Sequence, residues 1–380
     1  MVSLEDFGIK HKPSEKVYKN LMKFSYFMVD HVLKDSFELY GKENLEEDYY
    51  QMFLCDHKFY TDGVLAQIAI ALASNNDKPI PAPAYKAYIH HKALGPLMAA
   101  LFSYPIYSKS DGEEKKEQSL EYSVESFLQQ ERILIFPEGR ISHDGLLAQA
   151  KLGSAEIAWR AHHKIQGDPE LGKKKKGVKI IPMEISYYPI AGVHLKDLEK
   201  MTIRFGKPMD VEKELISKYY GSNADAEDKE KLKKNLQIVL MNDVMKEIGS
   251  LATVNMEETA SKVLHYLVDK GRCSIKKEDF LIILDDVVEA LNNTGLNLLN
   301  HFRDEESKQE SYELFIKRCK KRHILKEKKS ELHFNLEYVF SQPEFKHVRN
   351  KNTILYNKNL LEHLQVFKNA VEETLSKELV

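Results

Sequence analysis

The sequence predicts an α/β fold, a mixed twisted sheet flanked by helices, followed by an all-helical C-terminal domain. Three observations carry this. Short apolar runs of strand length alternate with helical patterns as far as Phe205. Strand patterns then nearly stop. From Val211 onward apolar residues recur at three- and four-residue spacing, the mark of helices with one buried face.

The elements follow in order. Residues 1–35 are expected to form an N-terminal helical segment. Gln51-Met52-Phe53-Leu54-Cys55 reads as a short buried strand, and Gly63 to Ala73, rich in Ala, Leu and Ile, as a buried helix. Ile80 to Ala84 reads as a strand, Lys92 to Phe102 as a helix, and Glu114 to Gln130 as an amphipathic helix that ends before the strand Arg132 to Phe136. An alanine-rich helix, Leu152 to His162, leads through a polar loop, Gly167 to Gly177, into the strand Val178 to Tyr187, with Met201 to Phe205 as a further strand. Asp228 to Ile248, Met256 to Lys270, Lys277 to Asn292 and Asn357 to Leu379 carry the helical pattern. The chain of 380 residues is therefore expected to divide into the helical segment 1–35, a principal domain 36–210 and a helical domain 211–380.

Composition narrows the function classes. Fifty-six basic against 58 acidic side chains leave a formal net charge of -2, which removes the positive field of a general nucleic-acid binder. The three cysteines, Cys55, Cys273 and Cys319, lie far apart without CxxC spacing, so neither a metal site nor a disulfide framework is expected. No run of about 18 apolar residues occurs, and the first residues lack the apolar core of a secretory signal. A cytoplasmic protein with no transmembrane segment is the expectation.

His57 and Asp62 stand on the connection between the first buried strand and its helix. The His-x4-Asp spacing lets the carboxylate turn back, accept a hydrogen bond from the imidazole, fix its tautomer and support a general base. Taken alone the pair decides little, because 15 histidines and 58 acidic residues make chance pairings frequent, and a structural histidine fits as well. A second motif, Phe136-Pro137-Glu138-Gly139-Arg140, follows an apolar strand directly and so carries Glu138 and Arg140 to its C-terminal end, where α/β folds place ligands. Arg140 could grip a phosphate through paired hydrogen bonds, while Glu138 could accept from hydroxyls or steady the arginine. A turn closed by a local ion pair is the other reading. Cys55, two residues before His57, reads as a core cysteine rather than a nucleophile, since an apolar strand suppresses the thiolate.

In combination these blocks resemble the glycerolipid acyltransferase family, which includes glycerol-3-phosphate, dihydroxyacetone-phosphate and lysophosphatidate acyltransferases. The first block is His57 to Asp62, preceded by Gly41-Lys42-Glu43-Asn44-Leu45. The second is a departure: Leu94-Gly95-Pro96 and Tyr104-Pro105-Ile106-Tyr107 lead to Ser108-Lys109 where the family has an arginine. The third, Phe136 to Ser142 and on through Gly145, Lys151 and Gly153, is similar to the family's Phe-Pro-Glu-Gly-Thr-Arg-Ser stretch, with Arg140 and Ile141 where Thr-Arg is usual. The fourth, Ile180-Ile181-Pro182-Met183-Glu184-Ile185 with Ile203-Arg204-Phe205-Gly206-Lys207-Pro208, is similar to its Val-Pro block and Gly-Lys-Pro strand end. The likeness runs from about Phe37 to Pro208, and a fainter one covers Thr353 to Leu364.

The resemblance implies a glycerol-3-phosphate acyltransferase-like sheet and direct acyl transfer, with His57 and Asp62 catalytic. It further implies substrate contacts from Glu138, Gly139, Arg140, Ser142, Lys109 and Lys151, and Pro182 at the acyl groove. For Lys109 and Lys151 a loop or surface lysine is the alternative reading. The acceptor implied is glycerol 3-phosphate, with lysophosphatidate as the rival; the donor is acyl-CoA or acyl-carrier protein as co-substrate, without a cofactor. Peripheral attachment to a membrane surface follows, and Ala93 to Tyr107 is apolar enough to contribute. A non-catalytic lipid-binding scaffold that keeps the same fold is the reading from a different class.

Overall fold

The computed structural model describes residues 4–9, 12–31, 34, 36–74, 76, 78–189, 199–222, 226–341 and 352–378. The chain divides into two compact units. The first comprises Met1–Ile141, Gln149–Ile185 and Ile203–Ile248, and the second Ser142–Ala148, Ser186–Thr202 and Gly249–Val380.

The first unit starts with helix α1 (Glu15–His31), strands β1 (Phe37–Tyr40) and β2 (Tyr50–Cys55) and helix α2 (Asp62–Ser74). Then come β3 (Ala82–Tyr85), α3 (Lys86–Ile89), α4 (Gly95–Ala100), β4 (Ser103–Ile106), α5 (Glu113–Gln130) and β5 (Arg132–Ile135). After Phe136 to Ser142 follow α6 (Gly153–Gly167), α7 (Pro169–Lys174), β6 (Val178–Tyr188), β7 (Lys200–Phe205), β8 (Met209–Asp210), α8 (Ser217–Tyr220) and α9 (Ala226–Ser250), of which residues 186–188, 200–202 and 249–250 are counted with the second unit. The main sheet has the order β1-β7-β6-β2-β5, with β8 paired to β6. β2 runs parallel to both β5 and β6, while β8 is antiparallel to β6, so the sheet is mixed as expected. β3 and β4 form a separate parallel pair.

Position in this sheet explains the sequence pattern. β2 lies between β6 and β5 with every residue buried, so its apolar run has no alternation. α2 buries Leu65 through Ala71 without a break, which is why it is apolar all round rather than striped. α1 in turn lays Tyr18 and Met22 on Ile68 and Ala71 of α2 and on Leu101.

The second unit contains β9 (Thr253–Val254), α10 (Met256–Asp269), β10 (Ser274–Lys276), α11 (Lys277–Asn292), β11 (Asn297–Leu298) and α12 (Glu305–Lys321). It ends with β12 (Leu325–Lys328), β13 (Glu331–Phe334), α13 (Leu336–Phe340), α14 (Thr353–Leu360) and α15 (Gln365–Glu378). It is mainly helical, and α10 opens on a capping box in which Asn255 and Glu258 satisfy each other's backbone amides.

Four expectations are corrected. The C-terminal region is not all-helical, because β10, β13 and β12 form an antiparallel sheet. Its hairpin turns on Lys329 and Ser330, both with positive φ, in a two-residue loop that lacks the usual Asn-Gly signal and lies among charges that read as solvated surface. The predicted loop 167–177 contains α7, which Asp168 caps by accepting the Glu170 amide at 2.9 Å, with Pro169 in the first turn. The helix predicted from Asn357 onward is two helices, α14 and α15; its last residue, Leu379, lies outside the described residues. The helix expected over Lys92 to Phe102 shrinks to α4. Most of α9 belongs to the first unit.

Candidate active site

The parallel strands β2, β5 and β6 end at one edge of the sheet, and their register decides what meets there. Leu54 stands opposite both Ile135 and Pro182, and Cys55 opposite Met183. The residues that follow are therefore neighbours: Asp56-His57-Lys58 after β2, Phe136-Pro137-Glu138 after β5, and Glu184-Ile185 along β6.

His57 Nδ1 lies 3.1 Å from Asp62 Oδ2. The same oxygen accepts the backbone N–H of Lys58 at 2.6 Å and of Phe59 at 2.7 Å, so Asp62, the first residue of α2, closes the turn that carries His57. A carboxylate held by two amides is an acceptor, which assigns the imidazole proton to Nδ1 and leaves the Nε2 lone pair available. The imidazole stacks on the Phe136 ring, with centroids 4.1 Å apart and planes 21° apart, and the His57 backbone N–H donates to Glu138 Oε1 at 3.1 Å. Asp62 is 1% exposed and His57 18%, so the imidazole reaches solvent while its partner does not.

Lys58 turns inward from the same connection. Its ammonium donates to Asp56 Oδ2 at 2.7 Å, to the Ile185 carbonyl at 2.6 Å and to Glu184. Burial opposes its charge, but the two carboxylates outweigh burial and raise Lys58 well above the usual lysine range. Burial first, and then the nearby Asp56 and Asp62 charges, push the Cys55 thiol well up, so Cys55 is core and not a nucleophile.

The other expected residues separate into those brought to this edge and those that are not. Glu138 is buried, with its carboxylate on the His57 backbone. Gly139 has φ 64°, and an added Cβ would sit 2.7 Å from Lys151 Nζ, so the turn requires glycine and Lys151 crosses it. Arg140 follows, exposed, with no ion pair or hydrogen bond among the described residues. Lys109 is on an exposed turn before α5, paired with Glu113 at 3.4 Å, and no contact ties it to His57. Ser142 is buried and its hydroxyl donates to the Leu146 carbonyl at 3.1 Å, which makes it a brace of its own loop in the second unit. In that unit Asn359 of α14 donates to the Asp144 carbonyl at 2.8 Å, and Gly145 faces the Tyr356 carbonyl too closely for a Cβ. Pro182 is buried inside the sheet opposite Leu54.

Residues 36–186 match the family model described as Acyltransferase. Over this stretch the chain is similar to the acyltransferase family. The match bears out the family and the enzyme class that the motifs pointed to, and the acyltransferase stretch contains His57, Asp62 and Glu138 together. A crystal structure of the 1-acyl-sn-glycerophosphate (LPA) acyltransferase PlsC from Thermotoga maritima is similar at 15% identity, covering 60% of this chain and 78% of that one, with a TM-score of 0.37. No curated protein matches.

Sequence reasoning missed Lys58, Asp56, Glu184 and Phe136 as parts of the site. A signal existed for one of them: Glu184 is the only acidic residue in the apolar run 178–188, and a carboxylate inside a buried strand requires a partner. Nothing in the sequence aimed Lys58 inward rather than at solvent.

Proposed function

We propose that the chain transfers a fatty acyl group from an acyl thioester, acyl-CoA or acyl-carrier protein, to a hydroxyl of glycerol 3-phosphate, at a membrane surface. The contact between His57 Nδ1 and Asp62 Oδ2 carries this reading. His57 Nε2 takes the hydroxyl proton as that oxygen attacks the thioester carbonyl, Asp62 stabilises the imidazolium, and the same proton passes to the departing thiolate. No acyl-enzyme is required. Of the amides that open α2, those of Asp62, Val64 and Leu65 already bond to the Phe59 and Thr61 carbonyls, which narrows the donors for the oxyanion there to the Gly63 N–H.

Arg140, next to Gly139 in the chain, and Lys151, whose side chain lies against Gly139, are the cations we assign to the acceptor phosphate. Lys109 and Ser142 are set aside, because one faces solvent beside Glu113 and the other braces its own loop. The buried carboxylate and the partly exposed imidazole bonded to it favour an enzyme over the scaffold reading, since a scaffold gains nothing from an oriented imidazole.

The membrane part of the proposal rests on α1. Val17, Phe24 and Phe27 are 45%, 63% and 54% exposed and recur along one side of the helix, flanked by Lys16, Lys19 and Lys23, which make no ion pair among the described residues. Leu94 and Leu97 are exposed as well, whereas Leu101 and Tyr104 of the same segment are core. The lysine run Lys173 to Lys176 contributes little field, as its members pair with Glu170, Glu131 and Asp48. No helix among the described residues is long and apolar enough to cross a membrane.

The test is product formation by the purified chain from radiolabelled glycerol 3-phosphate, dihydroxyacetone phosphate and lysophosphatidate, each with acyl-CoA and acyl-carrier protein. Labelled lysophosphatidate from glycerol 3-phosphate is expected. Acylation of lysophosphatidate alone would transfer the assignment to the rival acceptor, and no product from any pair would overturn the proposal.

A further inference from the structure

We infer that Lys58 is a positioning residue for acyl transfer, a buried clamp that fastens the His57–Asp62 connection to the end of β6 and thereby aims the imidazole. The inference rests on the reading of His57 and Asp62 as the catalytic pair.

A lysine next to a catalytic histidine invites a substrate-binding role, and the geometry argues against one. An ammonium has three N–H donors. Those of Lys58 face three acceptors: Asp56 Oδ2, Glu184 and the Ile185 carbonyl. The side chain is 12% exposed. With its donors engaged below the surface, it has none to offer a phosphate or a thioester oxygen.

The clamp acts on the catalytic turn from both sides. The Lys58 backbone N–H donates to Asp62 Oδ2, the oxygen that faces His57, while its side chain fixes the same residue to β6. Asp56 adds a second stitch, accepting the Ile185 backbone N–H at 3.4 Å. On the other flank the His57 backbone N–H is held by Glu138. His57 therefore stands between two anchors, one on the turn that follows β5 and one on β6. A buried ion pair adds little net stability over well-packed apolar side chains, so its use here is geometric.

The test is steady-state kinetics of Lys58→Met, Lys58→Arg and Glu184→Gln, with thermal unfolding of each. Lys58→Met should lower kcat about 10- to 100-fold while both KM values stay within about twofold, the pattern of a misaimed base. Glu184→Gln, which weakens one anchor, should lose several-fold, and Lys58→Arg should recover most of the rate. Combined with Asp62→Asn, the loss from Lys58→Met should be less than multiplicative, because both changes act through His57. A folded Lys58→Met with kcat within about twofold of wild type overturns the inference, as does a raised KM at unchanged kcat. If Lys58→Met does not fold, an unchanged kcat in folded Glu184→Gln overturns it. Failure of the underlying reading looks different: His57→Ala would then remain active.

Discussion

Replacing Asp62 with Asn removes one charge and leaves almost everything else in place. All three donors, the His57 ring and the Lys58 and Phe59 amides, converge on Oδ2. An asparagine that kept its NH2 there would face two N–H groups, so the amide oxygen must take that place, and it can still accept from Nδ1. The tautomer is kept and only the ionic stabilisation of the imidazolium is lost. At the 3.1 Å separation, with an effective dielectric constant of about 20, that interaction is on the order of 5 kcal/mol. If about half of it is realised when the proton is partly transferred, the barrier rises by roughly 2.5 kcal/mol, close to a 100-fold loss in kcat. Neither KM should move by more than about twofold. Single-turnover acyl transfer at saturating substrates measures this, with circular dichroism to confirm folding. A loss below about threefold would refute a role for the Asp62 charge; a loss above about 10⁴-fold would mean that the tautomer is not held as described.

Arg140→Ala should raise the KM for the phosphorylated acceptor roughly 10- to 100-fold, the equivalent of about 1.5–3 kcal/mol for charge-assisted hydrogen bonds, and leave the donor KM unchanged; an unaltered acceptor KM would remove Arg140 from the site. Phe24→Ser with Phe27→Ser should weaken co-sedimentation with phosphatidylglycerol-containing vesicles about 30-fold, the result of forgoing roughly 2 kcal/mol of apolar burial, while transfer to a soluble acceptor persists. Equal partition of mutant and wild type would contradict that surface. Burial would raise the Glu131 carboxyl, but hydrogen bonds from Lys174 and Lys78 and the charge of Lys175 hold it down at about 2, so its contribution is present above the unfolded value of about 4.5 and fades as pH falls toward 2. Glu131→Gln should therefore lose about 1–2 kcal/mol at pH 7 and nothing near pH 2, as read from urea unfolding at both.

What could be read from the sequence was set by how local the determinants are. β2 and α2 are buried on all sides, and uninterrupted apolar runs announced both. The turn between them is closed by a carboxylate five residues from the histidine, a distance within one turn of chain, so the spacing became informative once the Phe136 to Arg140 motif stood beside it. Gly139 was legible for the same reason, as part of a tip carried by a strand. The rest depended on distant partners. Lys58 meets Glu184 across 126 residues, and the register of β2 against β6 that creates the contact leaves no mark next to Lys58. Ser142 resembled a ligand residue in its motif, yet its loop is fastened by Asn359 of α14, more than 200 residues later. The β12–β13 hairpin was hidden because its strands are four residues each and half charged, and its positive-φ turn is made by Lys and Ser.

The proposed transfer depends on one imidazole acting as base, and His57→Ala tests this most directly. The variant removes a partly exposed ring and leaves Asp62 bonded to two backbone amides, so the fold should persist. Acyl transfer to glycerol 3-phosphate by the folded variant should drop by at least three orders of magnitude with substrate binding retained. Activity equal to that of the wild type would contradict the account.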